Sequence, residues 1–483
     1  MLHFLQGQLP ILAVLVPVAG AMAVLVLPRA AARWMQLFGF AGFVIGLAVA
    51  VDVYLLGPRE LVLAGWSPPL GITLATSGTG ALLVGVVSVL MFVCGISAAA
   101  ERRSDTFTAS WLLTWAALVV VFLANDAFTV YVALELLSIA AVSLVVRPDS
   151  QRALRAALSY LVAGLTGSLL YLLGVALLYA ASGTLSFAGL GDTGAGPTAA
   201  VAIALMTAGI LLKSAVFPLH GWLPGAHGNA PAAASAVLSG VVVKAGVFLL
   251  WRLWSEVLGD AGMPAGDTLL ALLGVCALAW GSVMALRVHR LKLVIAYSTI
   301  AQMGYLVLVV PLLRADPITA LPGVALLAAN HAFAKAGGFL AAGCILAQRG
   351  RDGLESLHGL LQQMPVTAFA LALSAIALVG LPPSGGFVGK WILIQSAYAA
   401  ELWWWIPPFV LGGLLSAAAL VRALSHGFIH EPQGGGSTNG IAVGASLQWA
   451  ALMLALLALL IGMTAGYWVD LASIGLSAGR PLS

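Results

Sequence analysis

Apolar runs about 20 residues long recur from one end of this chain to the other, as in Leu9–Leu27, Leu158–Ala181 and Leu447–Leu471. A helix rises about 1.5 Å per residue, so each run is long enough to cross about 30 Å of hydrocarbon. In lipid every backbone polar group must find its partner within the element, which leaves helices or a closed barrel. Barrel strands would be about half this length and would alternate in polarity. Composition agrees, because hydrophobic residues make up 61% and charged residues 8% of the chain, against roughly a quarter charged in soluble proteins. The reading is an all-α polytopic membrane protein with no soluble domain.

Fourteen spans are predicted, at about 9–27, 34–56, 74–98, 107–124, 127–146, 157–181, 199–223, 231–254, 268–286, 292–311, 319–347, 365–400, 404–427 and 446–471. The twelfth is too long for one straight crossing and contains Gly380 to Gly386 (GLPPSGG), and the seventh contains Phe217 and Pro218. Proline removes a helical donor and clashes with the preceding turn, so both helices are expected to be broken within the membrane. The breaks lie five spans apart, so one runs up where the other runs down, as in transporters built from inverted repeats. The whole chain, 1–483, then reads as one transmembrane domain. It comprises N-terminal helices 1–3 in 1–106, a first five-helix repeat in 107–254, a second in 268–427 and a fourteenth helix at 446–471.

Basic residues set the expected orientation. Of the 21 Lys and Arg, 13 fall in loops after odd-numbered spans and four, namely Arg59, Arg252, Arg314 and Arg480, in loops after even-numbered spans or at the C-terminus. By the positive-inside rule the odd loops face the cytoplasm and both termini the other side. Scattered basic residues of this kind are no nucleic-acid footprint. Cys94, Cys276 and Cys344 match no paired metal spacing and read as small core residues. The first apolar run lacks a preceding basic region and reads as a retained helix rather than a signal. Gln433–Gly440 reads as a flexible connection.

The remaining four basic residues, Lys213, Lys244, Lys335 and Lys390, fall inside spans, which leaves Lys292 as the one loop lysine. Lys244 is thirteen residues past Pro231, about 20 Å along a helix. Glu135 is the one carboxylate expected at depth. A charged residue near the bilayer centre costs from about 2.5 kcal/mol upward, so such a set needs a hydrated interior or a structural pairing. Snorkelling does not reach from this depth, and one glutamate cannot neutralise four lysines. A lysine destabilised by burial and restored by a nearby carboxylate can take up and release a proton, which is the requirement for a relay. His331 precedes Lys335 by one turn on the same face, and His220 and His227 follow the seventh break. Each is a structural histidine on the plain reading, but their titration range suits proton transfer. His426 and His430 share a metal-like spacing without a further ligand nearby, so no metal is expected. The Gly191–Gly196 loop follows no strand, and no nucleotide or other cofactor is expected.

Four stretches in order, 211–227 (LLKSAVFPLHGWLPGAH), 296–305 (AYSTIAQMGY), 331–335 (HAFAK) and 380–390 (GLPPSGGFVGK), resemble the proton-conducting antiporter-like family. That family comprises large membrane subunits of respiratory complex I, membrane hydrogenases and Mrp-type Na+/H+ antiporters. The resemblance covers roughly residues 70–430 and is greatest to the Mrp branch, through Lys390 and the stretch 65–72 (GWSPPLGI). It implies a Glu135–Lys213 pair, Lys244 as central relay lysine, His331 and Lys335 as its continuation, and Lys390 as terminal lysine. It also implies a subunit, not itself an enzyme, of a hetero-oligomeric monovalent cation/H+ antiporter in a bacterial inner membrane. Its partners would be other membrane subunits, the lipid bilayer, protons and Na+. The alternatives are a proton-pumping subunit of complex I or of a hydrogenase, and an energy-coupling subunit for bicarbonate uptake. Gly225 and Asn229 stand where acidic residues are common in the family, and 76–80 (TSGTG) where an Asp is often found.

Overall fold

A computed structural model describes residues 7–66, 71–100, 104–191, 196–258, 262–429 and 444–476. Arg102, Arg103, His430, the Gln433–Gly440 connection and Arg480 lie outside the described residues, as do 192–195 of the glycine-rich loop and 67–70 of the stretch 65–72.

Apolar, proline-punctuated sequence gives helices nearly throughout. They are α1 Leu9–Val26, α2 Ala31–Leu56, α3 Gly78–Ala100, α4 Asp105–Leu123, α5 Ala127–Val145 and α6 Gln151–Ser182. The first broken span follows as α7 Pro197–Lys213 and α8 Trp222–Asn229. Then come α9 Ala232–Val257, α10 Pro264–Arg287, α11 Leu291–Ala315 and α12 Pro317–Arg349. The second broken span is α13 Pro365–Val379 and α14 Gly385–Ala399, and α15 Ile406–Ser425, α16 Ala445–Met463 and α17 Ala465–Ser473 complete the order. Twelve of the described helices are long and apolar enough to cross a membrane, and the two broken spans contribute the shorter apolar helices α7 and α13. The chain is a multi-pass membrane protein.

Both predicted breaks are present. After α7 the chain turns through Ala215, which takes a left-handed φ of 51°, a conformation that is strained for a residue carrying a Cβ. α13 ends at Gly380 with φ 82°, where a glycine closes the helix without that strain, and Ser384 then caps α14 through the Phe387 amide. The third span starts later than expected. Residues Arg59–Val62 and Thr73–Thr76 pair as an antiparallel hairpin, β1 and β2, in which burial alternates along β1 and β-branched threonines bound β2.

Burial separates an inner ring of helices from an outer one. In α9 the membrane-length window is wholly buried and in α11 89% of it is, against 33% in α1 and α2. α10 and α11 cross with backbone against backbone. A Cβ at Gly304 would stand 2.5 Å from the Gly274 carbonyl oxygen, and one at Gly274 would stand 2.8 Å from the Gly304 oxygen. Small residues permit such approaches between membrane helices. Cys94 and Cys344 are core residues as expected, but Cys276 is exposed, on the outer face of α10.

Candidate functional site: a buried row of lysines

α9 is not a regular α-helix at its centre. Leu238–Val242 forms a π-turn, a wider turn of the kind that recurs at functional positions. The carbonyls of Ser239 and Gly240 accept from Lys244 Nζ at 3.0 and 2.5 Å. Gly240 also lets α12 come close, since a Cβ there would stand 3.3 Å from the Ala332 carbonyl. That approach brings α9 against the stretch of α12 that carries His331 and Lys335.

Lys335, on α12, is fully buried. Its Nζ donates to the Ile295 carbonyl on α11 at 2.7 Å and makes a short hydrogen bond to Ser298 Oγ. Lys390, on the second half of the broken span, donates to the Val379 carbonyl at 2.9 Å, at the end of the first half. It also lies 4.6 Å from the centroid of the Tyr305 ring on α11, within cation–π range. Lys213, the last residue of α7, donates to Ser138 Oγ at 2.6 Å and to the Leu134 carbonyl at 3.3 Å, both on α5.

The expected ion pair between Glu135 and Lys213 is not formed. Lys213 Nζ rests on the residues either side of Glu135, and Glu135 itself is only half-buried. The physical reason is helical phase. Leu134 and Ser138 share the inward face of α5, and Glu135 is rotated about 100° from Leu134. Among the described residues none of the four lysines is ion-paired. Their hydrogens go to carbonyls and hydroxyls.

Of the histidines, His227 and His331 are buried, and the His331 ring has no hydrogen-bond partner among the described residues. Buried polar groups in that condition recruit water. His220 is half-buried and stacks on Phe217 at the first break, apart from the row. His426 Nδ1 faces His358 Nε2 at 3.4 Å. No group of three or more metal-ligating side chains occurs among the described residues.

Apolar runs alone misplace two basic residues. Lys292 is not a loop lysine, since it is 2% exposed and donates to the Ala230 carbonyl between α8 and α9. Arg252 is likewise not in a loop. It is 7% exposed near the end of α9 and grips Glu256 with two hydrogen bonds, at 2.7 and 2.9 Å, across a second π-turn. It also donates to the Ala124 carbonyl and to Asn125, and with Asn125 and Glu60 the pair lines a cavity of about 340 Å³ under the hairpin. The Glu256 side chain is only 5% exposed, a buried carboxylate that the apolar runs do not flag. The i, i+4 spacing of Arg252 and Glu256 is the signal that could have revealed it.

Comparison with known proteins places this arrangement. The family described as "NADH:quinone oxidoreductase/Mrp antiporter, TM" matches residues 124–416. The chain is 32% identical to an NADH-quinone oxidoreductase membrane subunit, of the N type, from Desulforudis audaxviator, over 88% of this chain and 87% of that one. It is 28% identical to the D-type subunit of the Na(+)/H(+) antiporter of Bacillus subtilis, over 94% and 93%. Its fold matches a chain in the structure of the Mrp complex from Dietzia sp., with a TM-score of 0.88 at 24% identity, covering 97% of this chain and 96% of that one. With the family motifs in order on the elements just described, the chain belongs to the NADH:quinone oxidoreductase/Mrp antiporter transmembrane family.

Proposed function

We propose that this chain is the proton-translocating subunit of a multisubunit Na+/H+ antiporter. In this reading Glu135, Lys213, Lys244, His331, Lys335 and Lys390 carry protons and His220 and His227 support the path. The observation that carries the reading is the way the lysines are held. Each donates to neutral oxygens and none to a carboxylate. A buried lysine ion-paired to a carboxylate strands the acid when it loses its proton. One held by carbonyls and hydroxyls leaves no charge behind, so both protonation states are accessible. The relatives named as Na(+)/H(+) antiporter subunits support the coupling to Na+.

The same reading takes the chain as a transporter component in a bacterial inner membrane, assembled with other membrane subunits, with fourteen crossings and both termini on the non-cytoplasmic side. The two breaks, one in each five-helix unit over 107–254 and 268–427, support the inverted repeat. The relative named as a subunit of NADH-quinone oxidoreductase favours a second reading, a pumping subunit of a redox complex.

One preparation tests both. The complex is purified through this chain, its partners are identified by mass spectrometry, and it is reconstituted in vesicles with a proton-gradient dye. Small membrane partners and a gradient discharged by added Na+ are expected. Iron–sulfur partners and no response to Na+ would transfer the chain to the second reading. For orientation, a cysteine in the 147–150 connection between α5 and α6 should react with an impermeant thiol reagent only from the cytoplasmic side.

A further inference from the structure

The stretch 296–305, one of the four that carry the family resemblance, supplies none of the lysines or histidines of the row. On α11 its side chains form one buried polar stripe of Ser298, Thr299, Gln302 and Tyr305, spaced at i, i+3 or i+4 and i+7. Its four members touch the surroundings of three lysines, Lys335, Lys244 and Lys390. Ser298 meets Lys335, Thr299 meets Ser239 beside Lys244, Gln302 donates to the Leu378 carbonyl beside the second break, and Tyr305 lies under Lys390.

The most continuous part joins Lys244 to Lys335. Lys244 Nζ sits on the carbonyl of Ser239, and the hydroxyl of that same residue lies 2.7 Å from Thr299 Oγ1. Thr299 Oγ1 in turn donates to the Ile295 carbonyl at 3.1 Å, the oxygen that also accepts from Lys335 Nζ. Ser298 Oγ donates to that oxygen as well, at 3.0 Å. Three side-chain donors thus converge on one helical carbonyl with two lone pairs. Thr299 has an alternative, because its hydroxyl can turn and donate to Ser239 Oγ, reversing the direction of that bond. A hydroxyl pair with two competing orientations is the condition for passing a proton along and resetting.

We infer that Ser239 and Thr299 form a hydroxyl bridge that hands protons between Lys244 and Lys335. Each oxygen accepts one proton and releases another. Lys244 Nζ rests on the Ser239 backbone carbonyl, so in this step its ammonium swings to Ser239 Oγ and gives up a proton there, the Ser239 hydrogen passes to Thr299, and the Thr299 hydrogen moves on to the neutral amine of Lys335. Lys244 ends neutral and Lys335 charged, and rotation of the two hydroxyls restores the first orientation. Thr299 Oγ1 and Lys335 Nζ share the Ile295 carbonyl as acceptor and make no direct hydrogen bond, so the bridge as inferred includes one water between them.

The inference rests on the proton-translocating reading, and the test separates the two. Proton transport is measured with a dye in vesicles holding equal amounts of the assembled complex, for Ser239→Ala, Thr299→Val and Thr299→Ser, with Lys244→Ala beside them. Removing either hydroxyl should slow transport about a hundredfold, the scale of one positioned proton-transfer group, whereas Thr299→Ser should stay within about threefold because it keeps the oxygen. A role in shape alone predicts the reverse order, since valine matches threonine in size and serine does not. Wild-type rates in Ser239→Ala or Thr299→Val, with transport lost in Lys244→Ala, would overturn the bridge and leave the wider reading standing. Unchanged transport in Lys244→Ala would remove the reading itself. Should Thr299→Val fail to assemble, Ser239→Ala decides alone.

Discussion

Lys213 and Lys335 are both lysines inside spans, each with its Nζ on one serine hydroxyl and one carbonyl. Their surroundings differ. Lys335 is enclosed on every side by the inner ring of helices, with His331 one turn away and Lys244 across the α9 contact. Lys213 ends a broken helix at a half-buried position, with Glu135 on the adjacent, outward-turned position of α5. The inner lysine depends wholly on protein oxygens, whereas the outer one has a carboxylate within its field and a surface that a neighbouring subunit or lipid would cover. Charge at the outer position can thus be adjusted from outside the chain, while the inner row answers only to its own members.

The largest expected effect lies in the inner row. Lys244→Ala should abolish vesicle proton transport, and Lys244→Arg should not restore it, because arginine keeps the charge without readily releasing a proton. Near-normal rates in Lys244→Arg would make the inner site a fixed charge and erase the contrast with the outer one.

Next comes the buried Arg252–Glu256 pair. Arg252 and Glu256 are fully matched to each other, so they should behave as a static pair. Glu256→Ala leaves Arg252 buried without its partner, a change that costs about 3–5 kcal/mol. A large fall in the thermal midpoint or yield of the assembled complex is expected. A stable complex that has lost transport would instead move Glu256 into the proton path.

Glu135→Gln should act more gently, slowing transport several-fold at normal assembly, because Lys213 keeps its bonds to Ser138 and Leu134. Full activity would take Glu135 out of the mechanism, and complete loss would place it on a par with the inner row. Smallest is Cys276→Ala on the outer face of α10. It should change stability by no more than about 0.5 kcal/mol, and an apolar maleimide should label Cys276 while sparing Cys344.

How much of this is legible in the residues alone follows from range. Helices and breaks are local, written in run length and in Pro218, Pro382 and Pro383, and so they can be read. Lys244, Lys335 and Lys390 stand out because a charge in an apolar run is conspicuous. The contact that decides each lysine's chemistry is not local. Ser239 and Thr299 are 60 residues apart, and serine and threonine inside spans are common enough to carry no signal. Glu135 reads as the direct partner of Lys213 but stands half-buried beside the contacts that Lys213 makes to Leu134 and Ser138, because run length says nothing about rotation. Arg252 and Lys292 read as loop residues because each lies near the end of an apolar run, where a tightly packed helix end and a loop look alike.

The crossing at Gly274 and Gly304 bears on what can move. With main chain lying on main chain, α11 has no side chain at that point to repack against α10, and sliding one helix past the other would mean prising the two apart. α11 then behaves as a stator. Displacements on its surface reduce to hydroxyl rotations and lysine swings, which belong to the fast end of protein motion, whereas collective shifts of helices take microseconds to milliseconds. The slower mechanical steps fall to the segments around Ala215 and Gly380, where the chain already departs from helix. Force arriving from a neighbouring subunit would be felt at those two joints first, and the polar stripe would stay in register while they flex.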